Sequence, residues 1–333
     1  LQARQGENTV KIVVTGSLAF DYIMDFPGYF KDFMLTDKAH IISVSFLVDS
    51  MRKLRGGVAG NIAYNLALLG ERPLIVGAAG HDFDGYRAML EACGVDTSGI
   101  MIVEHEFTSS CFINTDQANN QIVAFYAGAM GHDHHNSLLH RGLTANDLVL
   151  ISPTSPEAIR RFALECQQMG VPYIFDPGKQ TPRLDADLLM IGIKGARLLI
   201  SNDYEFGMMA KCLGISEAEL IAQAPITVVT RGSEGSQIYV AGQLAATIPI
   251  APVKEVRDPT GAGDAYLAGI AFGLARQLPL EITGRIAALC AAYAIEERGC
   301  QEHRFTLQEF AHRYRTAFGH DLPLAALSLQ EAA

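Results

Sequence analysis

Asp264 follows the glycine-rich turn Thr260-Gly-Ala-Gly263 and opens an apolar run, Ala265-Tyr-Leu-Ala-Gly-Ile-Ala-Phe-Gly-Leu-Ala275, that reads as a buried helix. The first amides of a helix have no intrahelical partner and point outward, and the helix dipole adds partial positive charge there. Glycines let the backbone come close to a ligand, so Gly261, Ala262 and Gly263 offer N–H donors as an anion hole. A carboxylate inside such a hole repels a bound phosphate, unless its work is to take a proton from the group attacking that phosphate. The combination points to phosphoryl transfer to a hydroxyl, with Asp264 as general base. On residue chemistry alone a second reading stands beside it, in which Asp264 caps the first turn and the glycines only make the bend.

Other polar residues cluster where strands are expected to end. Lys11-Ile-Val-Val-Thr-Gly16 reads as a buried strand, and Asp21 is expected just beyond it, at the edge where open α/β sheets bind ligands. Arg55-Gly-Gly-Val-Ala-Gly60-Asn61 precedes a helix expected over 62–69. Phe175-Asp176-Pro-Gly-Lys179-Gln180 follows a later strand, with Arg183 close behind. Ser201-Asn202-Asp203-Tyr204-Glu205 follows another, and there Asn202 or Asp203 is a ready helix cap. Val229-Thr230-Arg-Gly232-Ser-Glu-Gly235 is a glycine turn. His132, His134, His135 and His140 lie in a polar loop without carboxylate–histidine spacing on a helix, so no specific metal site is expected among them.

These residues need a scaffold. Strands expected at 74–78, 148–152, 173–176, 198–201 and 227–230 alternate with helices at 82–93, 156–169 and 205–213, the pattern of a parallel sheet covered on both faces. Segments 40–46, 110–115 and 121–126, the last two joined by Asn119-Asn120, read instead as strands of a small separate sheet. The expected division is an α/β body over 10–17, 49–106 and 129–320, with a discontinuous small sheet from 18–48 and 107–128.

The 333 residues carry 49% hydrophobic and 19% charged side chains, as a buried globular protein requires. A net charge of −10 provides no basic stripe for nucleic acid. Six cysteines without a C-x-x-C pair read as free thiols of a reducing compartment. No apolar run reaches membrane-spanning length, the polar N-terminal residues lack a signal-peptide core, and a cytoplasmic protein without a membrane partner is expected. There is no P-loop, no G-x-G-x-x-G after the first strand and no G-x-S-x-G elbow.

Asp258-Pro-Thr-Gly-Ala-Gly-Asp-Ala-Tyr266 resembles the C-terminal signature of the ribokinase-like (PfkB) carbohydrate and nucleoside kinases, with Pro259 and Tyr266 as mild departures. Gly56, Gly57 and Asn61 match the N-terminal G-G-x-x-x-N signature of the same family, and two signatures in order are stronger than either alone. Asn202 and Glu205 match its N-x-x-E pattern, and Thr230, Gly232 and Gly235 its T-x-G-x-x-G turn. The resemblance runs from Thr15 to about Phe318 and implies a ribokinase-like α/β fold whose small sheet is a lid over the substrate and the interface of a homodimer. It implies ATP as donor, Asp264 as base, the amides of Gly261, Ala262 and Gly263 on the transferred phosphoryl group, and Glu205 bound to Mg²⁺ through water. Asp258 and Thr260 resemble positions that contribute to a potassium site in some relatives.

Several stretches, among them Thr15-Gly-Ser-Leu-Ala-Phe-Asp21 and Phe125-Tyr-Ala-Gly-Ala-Met130, look like the bacterial adenosine-kinase branch of the family. That branch implies transfer to the 5′-hydroxyl of adenosine, with Ser17, Asp21, Ser45, Gly57 and Asn61 on the ribose. Phe112 and Phe125 would flank the adenine, and Gln180 and Arg183 would line the same pocket. Lys179 departs from the branch, where a second Gln is expected. A sugar kinase of the same fold and a catalytically silent nucleoside-binding protein are the competing expectations.

Overall fold

The computed structural model describes residues 10–33 and 44–323. From the N-terminus, β1 (Ile12–Thr15), β2 (Ala19–Asp25) and β3 (Ser50–Gly56) are followed by α1 (Val58–Leu68), β4 (Leu74–Gly80), α2 (Asp84–Ala92) and β5 (Asp96–Val103). The hairpin β6 (Ser109–Thr115) and β7 (Gln121–Tyr126) comes next, then β8 (Leu148–Ile151), α3 (Pro156–Met169), β9 (Tyr173–Phe175) and α4 (Ala186–Lys194). The remainder is β10 (Leu198–Asn202), α5 (Asp203–Leu213), α6 (Glu217–Ile221), β11 (Ile226–Thr230), β12 (Ser236–Val240), β13 (Gln243–Ile248), α7 (Ala262–Ala275), α8 (Leu280–Ile295) and α9 (Leu307–Phe318).

A nine-stranded sheet in the order β13-β12-β11-β10-β9-β8-β1-β4-β5 forms the body. It is parallel from β11 to β5 and antiparallel at β12 and β13. Alternate residues of each strand feed two cores, because side chains leave a strand on opposite faces in turn. Val14, Leu150 and Ile200 pack with α7 and α8 on one side; Val13, Val149 and Leu199 pack with α3, α4 and α5 on the other. β1 is the first strand in the chain and lies inside the sheet, with β4 and β5 on one flank and β8 to β11 on the other. The chain therefore reverses direction between β1 and β8, and the crevice beyond their C-terminal ends is where open α/β sheets place ligands.

The smaller sheet has the order β3-β2-β6-β7 and corrects three expectations. Asp21 lies inside β2 and not just past β1, because Ala19–Asp25 pairs residue by residue with both β3 and β6. Ser50–Gly56 belongs to this sheet and not to the body, since all seven residues form an antiparallel ladder with β2. Of the strand expected at 40–46, residues 40–43 lie outside the described residues and 44–46 carry no strand. Instead Phe46 packs in an aromatic cluster with Phe26 and Phe30, ring centroids 5.0 and 4.9 Å away. No described helix is long and apolar enough to cross a membrane.

Candidate active site

α7 begins at Ala262 because Gly261, at φ +82°, turns the chain into it, a conformation that costs a residue with a Cβ. The space is closed as well: a Cβ there would stand 3.0 Å from Cys300. The first-turn amides that follow lack helical partners, and a Cβ added at Gly263 would meet nothing, so this turn faces open space. Asp264 occupies the third helical position and is half-buried. Asp264 does not cap the helix, since the start of α7 has no side-chain cap.

Its carboxylate is held from α1. Gly57, at φ +84°, starts that helix four residues earlier than expected, and a Cβ at Gly57 would stand 2.5 Å from the Ala19 nitrogen. Ser17 Oγ accepts a hydrogen bond from Val58 N–H (3.2 Å), so Ser17 ties the exit of β1 to the first turn of α1. One turn on, Asn61 is buried and donates from Nδ2 to Asp264 Oδ2 at 2.7 Å. Gln301 donates to Asn61 Oδ1 at 2.8 Å and to the Tyr86 hydroxyl, which donates to the Gly56 carbonyl at 2.9 Å. Asn61, expected on substrate hydroxyls, thus fixes the Asp264 carboxylate. The contact spans 203 residues of chain, and its relay through Gln301 spans 240.

Burial raises the Asp264 carboxyl to about 6, against the Asn61 hydrogen bond and the Lys179 cation, with the charges of Asp21 and Glu205 adding to the rise. Asp21 is also raised, by burial first, while Lys179 pulls it down and Asp258 pushes it up. Its carboxylate lies against Gly56, where a Cβ would come within 2.5 Å of Oδ2. Lys179, which the sequence marks only as a departure, is therefore the cation facing both acids. Asp176, which the sequence marks only as part of a strand-end stretch, stands beside them. Burial, then the charges of Glu205 and Asp264, hold its carboxyl well above the usual range. The crowding of Asp176, Glu205 and Asp264 is the environment a divalent cation relieves.

At the C-terminal ends of β10 and β11, Asn202 and Thr230 are paired in register. Asn202 Oδ1 caps α5 by accepting from Glu205 N–H at 2.8 Å, and Ser201 Oγ donates to Glu205 Oε2 at 3.2 Å. Gly232 and Gly235 bracket the turn after β11, closed by Arg231 N–H to the Gly235 carbonyl at 2.8 Å. Both oxygens of Asp258 accept backbone amides, Thr260 at 2.9 Å and Gly299 at 3.1 Å, so it joins the loops before α7 and after α8. Gln180 is buried on the 3₁₀ segment Gly178–Arg183 with its Oε1 lacking a partner among the described residues, while Arg183 is exposed. Ser45 is exposed beside the Phe46 cluster and joins none of these groups.

The lid register separates the two expected aromatic walls. Asp21 is opposite Cys111, and Cys111 is opposite Phe125, so the three share a face. Phe112 is opposite Tyr22 and Ala124, one residue out of step, and therefore lies on the other face. Its ring stacks on Tyr22, centroids 4.9 Å apart and 12° from parallel. Phe112 and Phe125 do not flank one ligand. Phe125 stands on the Asp21 face with Cys111 beside it, and Phe112 belongs to the outer face of the lid.

The profile of the pfkB family carbohydrate kinases matches residues 13–306. The nucleoside kinase of Methanocaldococcus jannaschii is 30% identical over 92% of this chain and 98% of its own length. The ribokinase of Bacillus subtilis is 29% identical over 87% of this chain and 94% of its own. Among solved structures, the nucleoside kinase of Burkholderia thailandensis in complex with inosine superposes with a TM-score of 0.83 at 34% identity, covering 93% of this chain and 99% of that one. A carboxylate at the head of α7 beside an open amide turn suits the chemistry of the family these comparisons show: the chain belongs to the pfkB family of carbohydrate kinases and is an ATP-dependent phosphotransferase with an alcohol group as acceptor.

Proposed function

We propose that the acceptor is the 5′-hydroxyl of a purine nucleoside, adenosine among them. The observation that carries this reading is the shared row Asp21–Cys111–Phe125 on the lid. It sets a hydroxyl-binding carboxylate and one aromatic ring on the same face, suited to a sugar with a flat base attached. One ring with a cysteine beside it grips a base less selectively than two rings would. The unpartnered Gln180 Oε1 offers an acceptor to a base N–H. The similarity to nucleoside kinases, one of them in complex with inosine, supports the same choice.

In this reading Asp264, ionised and aimed by Asn61, takes the proton of the attacking hydroxyl. The first-turn amides of α7 receive the transferred group's negative charge as it develops. Lys179 steadies the charge between Asp21 and Asp264. Glu205 and Asp176 would hold Mg²⁺, which supplies charge neutralisation to the phosphates when bound. Each Asp258 oxygen already accepts one backbone amide, so at a potassium site Asp258 would hold the loop in shape as well as add negative charge. The test is ADP release with adenosine, inosine, guanosine, ribose and fructose as acceptors. Purine nucleosides are expected to give the highest kcat/KM. Ribose or fructose exceeding every nucleoside would make the chain a sugar kinase, and no ADP with any acceptor would make it a silent binder.

A further inference from the structure

Away from the cleft, three potential metal ligands meet at the root of the β6–β7 hairpin. His105 and Glu106 lie between β5 and β6, and His132 lies in the 3₁₀ segment Gly128–His135 that follows β7. One ligand atom from each falls within 4.8 Å of the other two. His132 Nε2 is 3.7 Å from Glu106 Oε1, whereas ligand atoms of a tetrahedral zinc, bonded at about 2.0–2.1 Å, stand about 3.3 Å apart. Closing the ion therefore asks for movements of only a few tenths of an ångström to about an ångström from side chains at the surface. The His105 and His132 rings are perpendicular, centroids 5.4 Å apart, so neither blocks the other by stacking.

The carboxylate is held as metal ligands usually are, by partners outside the ion. Glu106 Oε2 accepts from the hydroxyl of Tyr126, the last residue of β7. The Glu106 carbonyl lies 2.8 Å from His81 Nδ1. Two imidazoles and one carboxylate form the donor set of three-ligand zinc sites that keep a fourth position for water. Mg²⁺, which demands octahedral oxygen ligands, is poorly served by two nitrogens.

We propose that His105, Glu106 and His132 bind a zinc-like divalent transition-metal ion that clamps the root of the β6–β7 hairpin. Its ligands enter from just before β6 and just after β7, and Tyr126 adds the end of β7 to the same knot. The strands so tied carry Cys111 and Phe125 on the face that carries Asp21, so the ion stiffens the lid without touching the reacting groups.

The test is calorimetric titration of the full chain with zinc in excess Mg²⁺, for the wild type, His105→Ala, His132→Ala, Glu106→Gln and His135→Ala. One zinc per chain is expected, weakened at least about tenfold in the first three variants, since losing a ligand should cost no less than losing an outer partner. His135→Ala should bind as the wild type does. Zinc should also slow amide hydrogen exchange in 109–126 of the wild type. No saturable binding, or binding as tight as the wild type's in His105→Ala, His132→Ala or Glu106→Gln, overturns the site. Binding without slower exchange overturns the clamp.

Discussion

As the proposed base, Asp264 has two competing demands on its charge. To accept a proton it must be ionised, and burial raises its carboxyl from 3.8 to about 6. The rate should therefore fall as pH drops below about 6 and level off above it. The same shift opposes folding. A carboxyl raised in the folded state contributes stability below its unfolded value of 3.8, and that contribution is lost as pH rises through about 6. A rise of roughly two units corresponds to about 3 kcal/mol at neutral pH. Asp264→Asn keeps the acceptor for Asn61 Nδ2 and removes the charge. It should lower kcat by about 10²–10⁴ and raise Tm at pH 7.5, with a gain that shrinks at pH 5. Turnover near wild type, or a Tm gain independent of pH, would refute the assignment. At this scale the position of Asp264 in the first turn of a helix after a glycine turn is legible, because that is a local pattern. The Asn61 contact, the cation Lys179 and the crowded Asp176 are not, because each depends on chain far away in sequence.

The elements divide by what each must bury. α3 lies over 156–169 as the sequence predicts, because Ser155 caps it, Pro156 starts it and Gly170 ends it in a left-handed turn. β3 is hard to read, since Ser-Met-Arg-Lys-Leu-Arg-Gly offers one partly covered face and a row of charges. The face that a lid residue takes is harder still: register decides it, and a one-residue slip moves every side chain to the other side. That is why Phe112 and Phe125 look equivalent in sequence and are not in space. Phe125→Ala should weaken purine-nucleoside binding by about 1–3 kcal/mol, the worth of one stacked base. Phe112→Ala should leave the nucleoside Kd within about threefold, because its ring rests on Tyr22. Equal losses in the two variants would mean that the cleft does not read the base through the Asp21 face.

At the scale of the whole molecule, the body covers its sheet on both faces and the lid does not. The four-stranded sheet has its Asp21 face available for substrate, but its other face carries Tyr22, Met51, Phe112 and Ile122. Of these, Met51 is 63%, Phe112 41% and Ile122 40% exposed. β7 adds an edge strand with all six residues exposed, and such edges are ordinarily paired or covered. A second copy of the lid would cover both at once, because a two-fold axis brings the same patch to itself. A stable pairing of this kind needs roughly 800 Å² from each partner, a large share of so small a sheet, so the outer face and the β7 edge would both be engaged. Sedimentation equilibrium at micromolar protein should give a dimer. Ile122→Lys sets two cations face to face across the axis and should shift the equilibrium to monomer, with Tm little changed because the side chain packs on no core. A monomeric wild type, or an Ile122→Lys protein still dimeric at the same concentration, would leave the outer face of the lid without this partner.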